Sequence, residues 1–283
     1  MSTVISLLNM KGGVGKTTLA VNLAWFMYEK GGHNVLLVDL DPQFNATQYV
    51  MDYRAFDLHK KKTGTIADLL LEQPRMDLRL KKLPKNPSHM LHNVRKVGSK
   101  HFDLLPSELN LAWVVKNPAQ MEYKLEKLLK GFSSDYDYIF IDCAPTDSVL
   151  TTMALTASDF LLVPVRPDRF SILGVENLQQ TVDLFRKNCP DPHGVKDLGI
   201  VFTQVMGNSA VESECMTDIR DRAATEGGYV FTAVLKYSTS FIRAVKDQTP
   251  IFQTWYAHRT SRNAASSIAK EMLQRVNELT ATT

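Results

Sequence analysis

An α/β fold, with a mostly parallel twisted β-sheet flanked by helices on both faces, is predicted by three observations. Apolar runs of strand length alternate with amphipathic helical patterns along nearly the whole chain. The runs read as buried strands, which is what a parallel sheet covered on both faces requires. A glycine-rich turn joins the first run directly to the first helical pattern.

Residues 4–8 read as a buried strand, and residues 16–30 as a helix with Leu19, Leu23, Phe26 and Met27 on one face. Gly31 and Gly32 end that helix. Residues 35–38 form a second strand, and 65–71 a short helix capped by Thr65. Residues 102–105, 138–141 and 160–165 read as strands, and 121–132 as a helix with Leu125, Leu128 and Leu129 inward. A long helix follows at 171–187, then strands at 198–202 and 230–235. Helices are expected at 212–225, 240–246 and 261–279. The sequence has no internal repeat. Residues 51–100, rich in Lys, Pro and His, fit the alternation badly and read as a loop-and-short-helix insertion. About 50 residues with few apolar positions could hardly build a core of their own. The chain is therefore expected to be one domain, 1–283, with a basic insertion at about 52–100.

Composition narrows the class. The 283 residues are 44% hydrophobic and 22% charged, ordinary for a soluble globular protein. No apolar run is long enough to span a bilayer, and the short run near the N-terminus has no basic residues before it, so no secretory signal is indicated. A cytoplasmic protein without membrane partners is expected. Cys143, Cys189 and Cys215 are widely spaced with no CxxC pair, which argues against a zinc site or disulfide framework. The seven histidines are scattered and read as surface or core residues. Net charge is only +3, yet residues 54–100 hold twelve Lys/Arg against four Asp/Glu, leaving 21 basic and 26 acidic residues elsewhere. That asymmetry hints at a polyanionic partner and is equally compatible with a solvated, lysine-rich surface.

The chemistry concentrates in KGGVGKTT, residues 11–18. Gly12, Gly13 and Gly15 allow a tight turn whose N–H groups, with those of Val14, Lys16, Thr17 and Thr18, point inward at a helix N-terminus, an anion site. Lys16 is placed to reach the β- and γ-phosphates of ATP and the Thr17 hydroxyl to ligate Mg2+. The strict Walker pattern would have a glycine at position 10; here Met10 precedes a lysine, Lys11, so the loop is a variant. Asp39 and Asp41 end the second strand in VDLDPQ, and Asp142 ends YIFID. Strand carboxyl ends are where open α/β sheets bind ligands, and carboxylates there can hold a magnesium shell directly or through water.

KGGVGKTT, LLVDLDPQFNAT, LLPSELNLA, DYIFIDCAP and DFLLVPV together resemble the ParA branch of the ParA/MinD family of deviant-Walker P-loop ATPases. The resemblance runs along most of the chain and is weakest over 52–100 and after about Val234. It implies a homodimer closing face to face around two ATP molecules. Lys11 is similar to the signature lysine that reaches the partner's phosphates, Lys16 and Thr17 to the ordinary P-loop pair. Asp41 is similar to the residue that positions the attacking water, Asp39 to a magnesium-shell acid and Asp142 to the Walker-B acid. It further implies nonspecific DNA binding by the ATP dimer, release stimulated by a ParB-like adaptor, and a nucleoid-associated location. Arg243, Lys246, Arg259 and Arg262 are the candidate DNA contacts, although LKYSTSFIRAVKDQ shifts the family's basic positions.

Other departures are Phe44 in place of a glycine in DPQGN, and CAPTD after Asp142 where the family often has DxPP and a glycine. No helix-turn-helix domain is expected ahead of the loop. A MinD-type membrane cycle would need a basic amphipathic tail, whereas residues 269–283 hold only Lys270 and Arg275. A metal-cluster ATPase would need paired cysteines. The stronger competitor is a ParA-like positioner whose cargo is not DNA. A nucleotide-bound switch with negligible turnover is disfavoured by the presence of both Lys11 and Asp41.

Overall fold

The computed structural model describes residues 2–71, 86–188 and 194–281. In chain order these form β1 (Thr3–Leu7), α1 (Lys16–Glu29), β2 (Val35–Leu40), α2 (Asn45–Val50), α3 (Tyr53–Lys62) and α4 (Ile66–Leu71). There follow β3 (His92–Val97), β4 (Lys100–Leu105), α5 (Ala112–Lys116), α6 (Lys124–Lys130), β5 (Tyr138–Cys143) and α7 (Val149–Ala157). The remainder is β6 (Phe160–Val165), α8 (Ser171–Asn188), β7 (Lys196–Val205), α9 (Ala210–Glu226), β8 (Leu235–Lys236), α10 (Thr239–Lys246) and α11 (Arg259–Ala281).

The strands make one eight-stranded sheet in the order β3-β4-β2-β5-β1-β6-β7-β8. Every neighbouring pair is parallel except β3 with β4. Alternation along each strand sends successive side chains to opposite faces. Ile5 and Leu7 of β1 join the cluster formed with α1 and α11, while Val4 and the following Leu8 join the one formed with α7 and α8. Both faces are covered, so β2 is buried at every position. The strand order reverses beside β1, whose neighbours are β5 and β6, and that switch point opens a crevice at the carboxyl edge.

Three sequence expectations need correction. The insertion is not loop with short helix only: besides the expected short helix, α4, it contributes α3 and an antiparallel hairpin in which β3 extends the main sheet. Residues 230–235 do not form a continuous strand; Val230 makes an isolated bridge to Ile200, and β8 is Leu235–Lys236 alone. The helix expected over 121–132 is shorter, Lys124–Lys130. Among the described residues no helix is long and apolar enough to cross a membrane. Cys143 and Cys215 are buried and free; Cys189 lies outside the described residues.

Candidate active site

The loop after β1 turns on two glycines. Gly13 and Gly15 have φ of 72° and 86°, a left-handed backbone that a Cβ would strain. Gly15 is also the N-cap of α1, and no side chain caps that helix. The first-turn N–H groups of α1 therefore face the crevice as donors. Asn9 fixes the base of the loop: its Nδ2 donates to the Pro164 carbonyl at 2.8 Å, and its Oδ1 accepts the Lys11 N–H at 2.8 Å. The far side is tied to the end of β7, where Thr203 Oγ1 donates to the Val14 carbonyl (2.5 Å) and Gln204 Nε2 to the Gly13 carbonyl (2.6 Å).

Lys16 is only 6% exposed. Its ammonium donates to the carbonyls of Asn9 (2.9 Å) and Lys11 (3.1 Å) and so lies folded across the loop. Burial pulls its pKa down, while Asp142, Cys143 and Asp41 push it back up. Beside it, parallel pairing of β2 with β5 sets Asp39 directly opposite Asp142. Asp39 is saturated: it accepts from Thr47 N–H (2.8 Å), Thr47 Oγ1 (2.7 Å) and Asp41 N–H (3.2 Å). Burial raises its pKa to about 7 against those hydrogen bonds. Among the described residues Asp142 accepts one bond, from Thr17 Oγ1 at 2.6 Å, and its buried Oδ1 has no hydrogen-bond partner. Burial first, and then Asp39, push the Asp142 pKa well above the carboxylate range.

A buried, unpartnered carboxylate oxygen next to a threonine hydroxyl and a second acid is a donor set for a hard divalent cation such as Mg2+. Protein donors alone leave Asp142 Oδ1 unsatisfied, and a cation or its water shell would satisfy it. Asp41, 6% exposed, accepts the Gln43 N–H at 2.8 Å, and its carbonyl accepts from Ser107 Oγ at 2.8 Å. Ser107 N–H also donates to Thr47 Oγ1, so the β4 exit loop braces the Asp39–Asp41 segment. Phe44, where the resemblance expected glycine, does take a left-handed conformation (φ 45°, ψ 41°) and stacks on Phe56 of α3 at 5.4 Å.

Lys11 stands apart from Lys16. Its ammonium points to Asp168, at 2.6 and 2.5 Å from the two carboxylate oxygens, and lies 5.8 Å from the Phe170 ring. Burial opposes the Asp168 charge, but the bonds from Lys11, Phe170 N–H and Ser171 outweigh it and hold the carboxyl below its usual range. Asp168 was not a sequence candidate. Neither was the groove of about 230 Å³ beside the loop, walled by Thr18, Gln204, Tyr237, Phe241 and Ile242. Long-range contacts assemble both, and no local pattern announces them.

The candidate DNA contacts are scattered by comparison. Arg243 and Lys246 are exposed on α10. The Arg243 guanidinium lies 4.1 Å over the Tyr256 ring and 5.5 Å over Trp255, with Asp247 3.8 Å away. Arg259 is exposed at the start of α11, and Arg262 is half-buried with its Nε lacking a partner.

A family model described as an AAA domain matches residues 2–192. The sporulation initiation inhibitor protein Soj of Bacillus subtilis is 33% identical over 192 residues, 66% of this chain and 68% of that protein. The chromosome partitioning protein ParA of Myxococcus xanthus is 32% identical over 219 residues, 77% of this chain and 70% of that protein. Among solved structures, an ATP complex of Cyanothece McdA is similar in fold, with a TM-score of 0.76 at 18% identity over 96% of each chain.

Proposed function

The chain belongs to the ParA/MinD family of P-loop ATPases, and from that membership we propose that it is an ATP-driven DNA-partitioning ATPase. ATP closes two copies face to face, the closed homodimer binds DNA without sequence preference, and hydrolysis stimulated by a ParB-like adaptor releases it. Residues 1–283 act as one ATPase domain on the nucleoid.

The observation that carries the nucleotide chemistry is the orphaned Oδ1 of Asp142 beside Thr17 and below the loop. The N–H groups of Gly12, Gly13, Val14, Gly15, Lys16, Thr17 and Thr18 take the phosphates, and the Lys16 ammonium trades two carbonyl acceptors for phosphate oxygens. Thr17 and Asp142 would hold Mg2+ most directly; Asp39, with both oxygens already engaged, would act through water. Bound there, the ion supplies positive charge to the oxygens on which negative charge develops. Asp41 orients the attacking water from the rim of the crevice. Lys11 leaves Asp168 and reaches the partner copy's phosphates, which makes hydrolysis depend on dimerisation.

DNA binding rests on Arg243, Lys246, Arg259 and Arg262. The second reading is a ParA-like positioner of a cargo other than DNA, which the same ATPase core would serve. One experiment separates them. Binding to a random-sequence duplex is measured without nucleotide, with ADP, and with ATP and magnesium, at two salt concentrations. Binding that requires ATP and weakens steeply with salt is expected. ATP-dependent dimers that never bind DNA would overturn the partitioning reading and favour a protein track.

A further inference from the structure

We propose that Trp255, braced by Tyr256 and Arg243, is a base-stacking platform, so that the chain grips DNA through an unpaired or everted base as well as through phosphates. The inference rests on the DNA reading above and goes beyond it, because nonspecific phosphate contacts need no aromatic residue.

Trp255 is 82% exposed, the most exposed large apolar side chain among the described residues. Tryptophan is highly buried on average, so an indole held in water needs a reason. Its backbone is anchored. The preceding 3-10 turn (Ile251–Gln253) buries Ile251 completely, and the Ile251 N–H donates to Asn22 Oδ1 of α1 at 2.8 Å. The hydroxyl of Thr254, itself buried, donates back to the Ile251 carbonyl at 2.7 Å. The indole then meets Tyr256 edge-on, with centroids 5.8 Å apart and planes at 78°. Tyr256 is fixed in turn by its hydroxyl, which donates to Asp247 Oδ2 at 2.9 Å. Arg243 covers both rings, and Asp247 lies beside its guanidinium. The acid is thus engaged inside the platform.

The surroundings select the ligand. Lys246 follows Arg243 by three residues on the same helical face, and Lys236 and Arg259 are exposed in the flanking segments. Ile242 and Tyr237 are exposed beside α10 as well, but an aromatic and guanidinium stack among cations matches a polyanion with π-faces. Every nucleobase has such a face, so stacking here would be sequence-tolerant.

The platform also shares a helix with the groove beside the loop. Phe241, Ile242 and Val245 of α10 line that groove near Gly15 and Thr18, while Arg243 carries the stack.

The test uses the full chain with ATP and magnesium, oligo-dT, an intact duplex and a duplex with one unpaired base. Trp255→Ala is expected to weaken binding to oligo-dT and to the unpaired base about tenfold, with Trp255→Phe in between. The slope against salt should not change, since phosphate contacts persist. Indole emission of the parent should be quenched by oligo-dT, and the quenching should vanish in Trp255→Phe. Basal ATPase should match the parent in both variants and so report an intact fold. Unchanged affinity and no quenching, with salt-sensitive ATP-dependent DNA binding retained, would overturn the stacking platform alone. Failure of the parent to bind any DNA would overturn it together with the DNA reading.

Discussion

The carboxyl rim of β1, β2 and β5 and the strip formed by α10 with the Trp255 segment are both charged, but they handle charge in opposite ways. At the rim, Lys16, Asp39, Asp41 and Asp142 are all nearly inaccessible to water, at 6%, 0%, 6% and 1% exposure. On the strip, Arg243, Lys246 and Arg259 are exposed. A buried charge costs several kcal/mol unless something compensates it, so each rim residue needs a partner or a ligand. An exposed arginine costs little and by itself implies little. The rim therefore speaks for function residue by residue, and the strip speaks only through its arrangement.

Mutation should reproduce that contrast. Lys16→Ala removes an ammonium lying across the loop and should weaken ATP binding on the order of a hundredfold or more, measured by titration calorimetry. Arg259→Ala, a single exposed cation, should weaken duplex binding only a few-fold and reduce the salt slope by about one. Equal effects of the two changes, each on its own ligand, would break the comparison.

Asp41→Ala should leave ATP binding and ATP-dependent dimers in place while lowering turnover by about 10²-fold or more. Its carboxylate holds the Gln43 N–H but none of the loop that grips phosphate, so the loss should fall on kcat. Turnover at the parental rate would remove Asp41 from the role of orienting water.

The rim should also show the cost of its buried acids. Asp142→Asn keeps an acceptor for Thr17 and removes a charge facing Asp39, and should stabilise the nucleotide-free chain by about 1–2 kcal/mol. The sign depends on pH. Both acids have raised folded-state pKa values, Asp39 about 7 against 3.8, so the folded chain holds protons that the unfolded chain has lost. The stability that these two acids contribute is then full near pH 4 and falls as pH rises through 7. The advantage of Asp142→Asn should be present at pH 8 and shrink toward pH 5 in thermal melts. The same variant should lose magnesium-dependent ATP binding, which separates stability from function.

How much of this was legible in the sequence follows the same division. Gly13, Gly15, Lys16, Thr17, Asp39 and Asp142 sit at strand ends or in one short loop, and their spacing already places them together. β3 was missed because most of its positions are exposed, and only pairing with β4 makes it a strand. α7 was missed because it is apolar on nearly every side and shows no helical period. α3, with three consecutive lysines at its end, reads as loop until Phe56 is seen against Phe44. Asp168 lies 157 residues from Lys11, and the Trp255 platform needs α10 and the segment after it to meet. Such contacts are decided by packing and leave no local trace.

Asp168 offers the finest test of the comparison, because Lys11 is the rim lysine that behaves like a surface one. Both side chains are about a third exposed, 32% and 31%, so water screens the pair even at contact distance. Such a pair is worth about 0.2–1 kcal/mol. If Lys11 must leave Asp168 to reach a partner's phosphates, that energy opposes dimerisation. Each dimer breaks two such pairs, so Asp168→Asn should then lower the protein concentration needed for ATP-dependent dimers about two- to thirty-fold. Sedimentation in an Asp41→Ala background, where ATP persists, reads this directly. The gain should shrink at high salt, which weakens the parental pair. Loss of dimers in Asp168→Asn would mean that Asp168 makes a contact within the closed dimer. Its bond to Lys11 would then be part of the dimer's own machinery and no brake on its formation.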